Sequence, residues 1–314
     1  MGVTAAAAAW GISSRRVRVL CEEGAIAGAE KPGGRWRIPA DAPRPPDGRA
    51  LRGWDIRPAF APLFREIDGL RGELARRRPL SAEEKRRLLD EFTVEYTHDS
   101  AAIEGNTLTL SETALVLQGV TIGEKPLKDH LEAIGHRDAF QYLCGRVADG
   151  GLPDEWFIRE LHSLVLADRP LERGAYRKIP VRILGAIHVP PEPLAVPDAM
   201  RDLLGRLAAS RRHPIERAAL FHILFEAIHP FVDGNGRTGR LLLNYLLMLD
   251  GYPPVNVKYA DRRRYYDAFT SYHRDGDDAP MVLLVAGYVR TRLRQTLALL
   301  GPARAPKARV TSDE

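Results

Sequence analysis

The chain has 314 residues, of which 45% are hydrophobic and 28% charged, and carries a formal net charge of +5. That length allows two domains with real cores. No apolar run reaches the ~18 residues of a membrane span, and the first ten residues lack the charged and apolar regions of a signal peptide, so the expectation is a cytoplasmic protein with no membrane contact. Cys21 and Cys144 lie far apart, without His or Cys partners at metal-ligand spacing, and read as buried thiols.

The charge is uneven. Residues 1–78 hold 15 Arg and Lys against 9 Asp and Glu, while the remainder holds 31 against 32, so the basic excess is N-terminal. In that block Thr4 can cap a short Ala-rich helix ending at Trp10, and Ser13 a second helix from Ser14 to about Glu23, which Gly24 stops. Val17, Val19 and Leu20 face inward. Residues 24–39, with Gly33-Gly34 at a turn, read as a small hairpin. The segment 1–40 resembles the winged helix-turn-helix of the excisionase/MerR-like group. That resemblance implies DNA as a partner, with Arg15, Arg16, Arg18, Arg35 and Arg37 as the contacting side chains.

Residues 41–56 are rich in Pro and Gly and read as a linker. Residues 57–79 form a bridging amphipathic helix with Phe60, Phe64, Ile67, Leu70 and Leu74 on one face. Ser81-Ala-Glu-Glu84 is a capping box that opens a helical domain over 80–300. Its helices are predicted from Ser111 to about Gly119, over 126–147, 153–166, 197–210 and 214–228, and in the runs 241–249, 261–274 and 279–300. Segment 174–191 is rich in β-branched residues and bracketed by Gly and Pro, which predicts a β-hairpin. A disordered tail is expected over 301–314.

The chemistry concentrates at His229-Pro-Phe-Val-Asp233-Gly-Asn235-Gly-Arg237-Thr-Gly-Arg240, a loop running into a helix. A helix start leaves backbone N–H groups unpaired where the macrodipole is positive, so it suits an anion. Gly234 and Gly236 let a phosphate approach the backbone, Asn235 offers an amide donor, and Arg237 and Arg240 bring two guanidinium forks. Asp233 is a single carboxylate suited to Mg2+ shared with phosphates. His229 has a side chain able to take a proton near neutral pH.

The order H-P-F-x-D-G-N-G-R-x-x-R resembles the signature of the Fic family. The resemblance implies a mainly α protein: an all-α Fic domain with a β-hairpin flap, behind the small winged helix-turn-helix. It also implies an adenylyltransferase that moves AMP from ATP to a Ser, Thr or Tyr hydroxyl of a target protein, the chain itself included. His229 would be the base and Asp233 the Mg2+ ligand, with Gly234, Asn235, Gly236, Arg237 and Arg240 on the phosphates. Ser100-x-x-x-Glu104-Gly105 fits the family's inhibitory motif, in which Glu104 pairs with Arg240 and blocks the terminal phosphate. The 174–191 segment resembles the flap that holds a target backbone, here through Arg177, Lys178, Ile179 and Val181. A homodimer is a further expectation of the resemblance. Two other readings stand beside this one: removal of AMP from a modified protein by the same site, and a DNA-binding regulator whose Fic domain is an effector or silent module. Around Tyr265 to Asp277 the match to the nucleobase-side helix is imperfect, since His273-Arg274-Asp275 stands where relatives often place an asparagine.

Overall fold

The computed structural model describes residues 1–10, 14–22, 26, 28–40, 42, 56–77, 82–183 and 185–300. The 41–56 linker lies almost wholly outside the described residues, as do Ser81 and the 301–314 tail. The chain divides into two compact units, Met1–Arg52 and Gly53–Glu314.

In the first unit, α1 (Val3–Trp10) and α2 (Ser14–Glu22) form over the two runs expected to be helical, with Thr4 inside the first turn of α1 and Ser13 and Gly24 outside the described residues. Ala6, Ala7 and Trp10 of α1 pack with Val17, Leu20 and Cys21 of α2 and with Ile26 and Ile38. Burial raises the Cys21 thiol above its ordinary value, with Glu22 adding to the shift. Glu30 and Arg37 exchange backbone hydrogen bonds of 2.9 and 2.7 Å across a 3-10 turn at Pro32–Gly34. Gly33 and Gly34 take φ of +58° and +80° in that turn, which a side chain would resist. The expected hairpin is therefore held by isolated bridges, with no strand among the described residues. Arg18, Arg35 and Arg37 are exposed; the side chains of Arg15 and Arg16 lie outside the described part.

The second unit carries ten α-helices among the described residues: α3 (Ala61–Arg76), α4 (Ala82–Ile103), α5 (Leu110–Leu117), α6 (Leu127–Asp149), α7 (Glu155–Val165), α8 (Val196–Ala209), α9 (Pro214–Ile228), α10 (Asn235–Leu249), α11 (Arg262–Asp275) and α12 (Ala279–Leu299). No helix among the described residues is long and apolar enough to cross a membrane. α10 is the central element. Its residues from Arg237 to Leu247 are buried on every side, as expected of a helix packed against α9, α6, α7 and α4. α5 begins at Leu110, one residue before the Ser111 start read from sequence. Thr109 supplies the cap, its hydroxyl accepting from Glu112 N–H while Glu112 reaches back to Thr109 N–H. α6 and α7 approach so closely at Gly135 that a Cβ there would lie 2.4 Å from the Leu164 carbonyl oxygen.

α3 is built into this unit. Phe64 stacks on His213 with ring centroids 4.0 Å apart. Asp68 faces His213 Nε2 at 3.4 Å and accepts from the Tyr252 hydroxyl, all three side chains being buried. Glu66 pairs with Arg290 and Arg294 of α12. The helix read as a bridge is thus packed into the same core as the helices after it.

The β-hairpin expected over 174–191 is corrected. Among its described residues there is no strand and no bridge. A hairpin needs two runs that exchange N–H and C=O groups, and here Pro180, Pro190 and Pro191 lack the N–H. Arg177 instead gathers the strap: its backbone N–H donates to Pro230 O at 2.9 Å, Nε to His229 O at 2.8 Å, and Nη2 to Pro191 O at 2.5 Å. Ile179, Ile187 and Val189 are left exposed.

Candidate active site

The loop expected between two helices runs from His229 to Gly234. α9 stops at His229, which takes φ 50° and ψ 59°. It is the one non-glycine residue with positive φ among the described residues. That left-handed turn ends the helix and swings the imidazole back beside Glu226, with Nδ1 3.8 Å from Glu226 Oε2. Burial, which favours the neutral ring, holds the imidazole below its ordinary pKa, against the opposing effect of a hydrogen bond to the Glu226 backbone. Gly234, at φ 76°, precedes α10.

The Asn235 side chain does not face an anion. Its Oδ1 accepts from Phe231 N–H and its Nδ2 donates to Phe231 O, both at 2.9 Å. The amide fastens the loop, and only the backbone N–H of Asn235 is left for a ligand. His162, on α7, fixes the same loop from below: its Nε2 meets Asp233 O at 3.0 Å, Gly174 N–H donates to its Nδ1 at 2.9 Å, and it stacks on Phe231 at 3.6 Å. Those partners assign an Nε2–H tautomer. Burial lowers its pKa to about 4, keeping the ring neutral.

Arg237 and Arg240 are both buried but differ in role. Arg237 is turned inward, with Nη1 3.3 Å from Glu132 and Nη2 3.4 Å from Asp233. Glu132 also accepts from Asn106 Nδ2 at 3.0 Å, so the network ties α10 to α6 and to the turn after α4. Asn106, Glu132 and His162 carry no sequence signal beyond being polar residues in or beside helices. Arg240 lines an open cavity of about 590 Å³ together with Glu104, Glu226, His229, Gly236 and Tyr265. Its Nε donates to Ser100 Oγ at 3.0 Å and its Nη2 to Ser100 O at 2.7 Å and Glu104 Oε1 at 2.8 Å. Burial works against its charge, but Glu104 and Tyr265 together outweigh burial and raise its pKa.

Glu104 follows the last turn of α4. A Cβ at Gly236 would lie 2.0 Å from its Oε1. The carboxylate therefore rests directly on the first turn of α10, where N–H groups lack intrahelical partners and the dipole favours negative charge. The Glu104 carboxylate thus occupies the start of α10.

Asp233 is held below its ordinary pKa. Burial would raise it, but Arg237, Gly234 N–H, Arg169 and Lys128 together outweigh burial. Among the described residues no group of three or more His, Cys, Asp and Glu side chains could cage a metal ion. A lone carboxylate beside an anion cradle fits a divalent cation that arrives on phosphate oxygens.

Glu226 was not singled out by sequence. It is 13% exposed, its Oε1 has no hydrogen-bond partner, and burial, with Glu104 adding and Arg240 opposing, raises its pKa to about 8. Between the ordinary carboxyl value of 4.5 and about 8 the folded state binds a proton the unfolded state has lost. Stability from this group is therefore complete below about pH 4.5 and declines up to about pH 8. Thermal midpoints of wild type and Glu226→Gln are expected to agree at the acid end and to separate by a few degrees at the alkaline end, with the variant higher. A constant gap would remove Glu226 as the source.

A model of the Fic/DOC family matches residues 153–247. A solved fragment of Fic-1 from C. elegans superposes with a TM-score of 0.69 at 32% identity, covering 77% of this chain and 73% of that one. A Fic domain containing signaling protein from Bacteroides thetaiotaomicron gives a TM-score of 0.64 at 29% identity, covering 77% and 94%. The chain belongs to the Fic/DOC family. The protein adenylyltransferase Fic of Nematostella vectensis is 38% identical over 209 residues, 64% of this chain and 48% of that protein. This chain thus spans about half, or less, of the curated relatives it matches.

Proposed function

We propose that this chain transfers AMP from ATP to a hydroxyl of a protein. The observation that carries the reading is that His229, Gly236 and Arg240 line one cavity, so a base, a helix start and a fixed guanidinium meet where a triphosphate fits; the adenylyltransferase relatives support it. With Nδ1 directed at Glu226, the Nε2 of His229 is the atom left to take the proton of the incoming hydroxyl. The hydroxyl oxygen then bonds to the α-phosphorus, the bond to the bridging oxygen breaks, and pyrophosphate leaves. Gly236 and the α10 start hold phosphate oxygens, and Arg240 neutralises the leaving pyrophosphate. Asp233 would hold Mg2+, which supplies charge neutralisation on the phosphates when bound. Arg237, paired inward, keeps Asp233 in place.

In the resting state Glu104, seated on Gly236 and Arg240 and backed by Ser100, excludes the terminal phosphate. The exposed Lys178 and Ile179 and the half-buried Val181 suit contact with a target backbone, whereas Arg177 is buried and supports the strap. With ATP labelled at the α-phosphate, Glu104→Gly protein should label itself or a target, and adding His229→Asn should abolish the label. No label from Glu104→Gly would overturn the reading.

The N-terminal unit supports a second activity, DNA binding, because it is compact by itself and exposes Arg18, Arg35 and Arg37. The 314-residue chain should bind duplex DNA with an affinity that falls as salt rises, and Arg35→Ala with Arg37→Ala should reduce the salt slope by about two. Absent or salt-insensitive binding removes that role.

A further inference from the structure

The cavity chemistry accounts for Glu104 but leaves its electrostatic opposite unexplained. Arg169 lies in the turn after α7, and its Nη2 stands 3.0 Å from Asp233 Oδ2. The other oxygen, Oδ1, accepts the Gly234 N–H at 2.6 Å and faces Arg237 at 3.4 Å. The backbone of Asp233 is pinned by His162 at 3.0 Å. With its carbonyl fixed and Oδ1 turned inward, the carboxylate can offer only Oδ2 to an incoming cation, and Oδ2 is where Arg169 sits.

The two arginines on Asp233 are not equivalent. Arg237 is 1% exposed and locked to Glu132, whereas Arg169 is 35% exposed. Arg169 has an alternative partner in Glu172, 3.3 Å from its Nη1. A half-exposed arginine with a second carboxylate within reach can leave at small cost; a buried one cannot.

We infer that Arg169 is an internal counter-ion that holds the place of the divalent cation on Asp233, so that cation binding and release of Arg169 are one event. The resting site is then closed at both poles by the chain's own side chains: a carboxylate where phosphate would go and a guanidinium where the metal would go. Arg169 is a positioning residue; it acts through Asp233 and touches no reacting atom. The inference rests on the adenylyl-transfer reading.

The test is calorimetric binding of an ATP analogue with a methylene bridge between the α- and β-phosphorus atoms, in the Glu104→Gly background, at graded Mg2+ and in EDTA. Arg169→Gln should lower the half-saturating Mg2+ roughly two- to fivefold, the scale of a half-exposed ion pair, and leave the affinity in EDTA near that of the parent. Arg169→Lys, which keeps the charge, should restore most of the requirement. Glu172→Gln removes the resting place of the displaced guanidinium and should raise the half-saturating Mg2+, which a loss of folding in Arg169→Gln could not imitate. An unchanged Mg2+ requirement in both variants overturns the inference, as does an equal loss of affinity with and without Mg2+ in Arg169→Gln, which would make Arg169 a phosphate ligand. A parent protein that binds no analogue at any Mg2+ concentration overturns the transfer reading itself and the inference with it.

Discussion

Replacing Glu104 by glycine is expected to tighten ATP binding roughly tenfold to a hundredfold, from about 1.5–3 kcal/mol for a hydrogen bond to a charged group. The size depends on what Arg240 does once its carboxylate is gone. Two hydrogen bonds to Ser100 and a longer one to Tyr265 remain, so the guanidinium keeps its place and only the direction that faced Glu104 is freed. The same substitution uncovers Gly236, whose Cα lies under the carboxylate. A phosphate then gains a helix start and a charged donor without displacing anything. Calorimetry with a non-hydrolysable ATP analogue reads the effect; equal affinity in the two proteins would mean that Glu104 does not compete for the site. Unliganded Glu104→Gly should melt a few degrees lower than wild type, because a buried cation has lost its partner, and should recover with saturating ATP.

The Glu104–Arg240 pair was readable in sequence because both partners lie in short patterns, Ser100 to Gly105 and His229 to Arg240. The helices were readable for a similar local reason. Apolar runs such as Leu241 to Leu247 admit no other packing, and glycines such as Gly234 mark where the chain must turn. What escaped was set by partners distant in sequence. The 174–191 strap has the β-branched residues of a hairpin, yet its hydrogen bonds run through Arg177 to carbonyls at His229 and Ile228, more than fifty positions away. Nothing within the strap announces that. Asn235 was read as a phosphate donor because an amide between two glycines can serve as one, but Phe231, four residues back, uses both ends of it. Arg237 was read as a twin of Arg240 from their spacing, and Glu132 on α6 separates the two roles. Glu226 stands three residues before the histidine and would pass for a surface charge; only the closeness of α9 to α10 at Gly239 reveals its burial, a Cβ there falling 2.3 Å from Glu226 Oε1.

His229→Asn is expected to lower the transfer rate about 10²- to 10⁴-fold, the usual worth of a positioned general base, while ATP affinity stays near that of the parent. Asparagine is the informative replacement because position 229 is left-handed. Asn accepts that backbone more readily than other non-glycine residues, so the α9 stop and the Arg177 bond to the 229 carbonyl survive the change. The anion cradle at Gly236 and Arg240 does not use the imidazole, which is why binding and rate should separate. The pH profile supplies a second reading of the same group. Burial holds the imidazole below its ordinary value of 6.5, so the acid limb of kcat/KM for Glu104→Gly protein should lie below that pH. In the Glu104→Gly, His229→Asn double variant that limb should vanish along with the rate. A double variant that labels protein as fast as its parent, with the same acid limb, would assign the proton to another group, and Glu226, 3.8 Å from Nδ1, would be the first to examine.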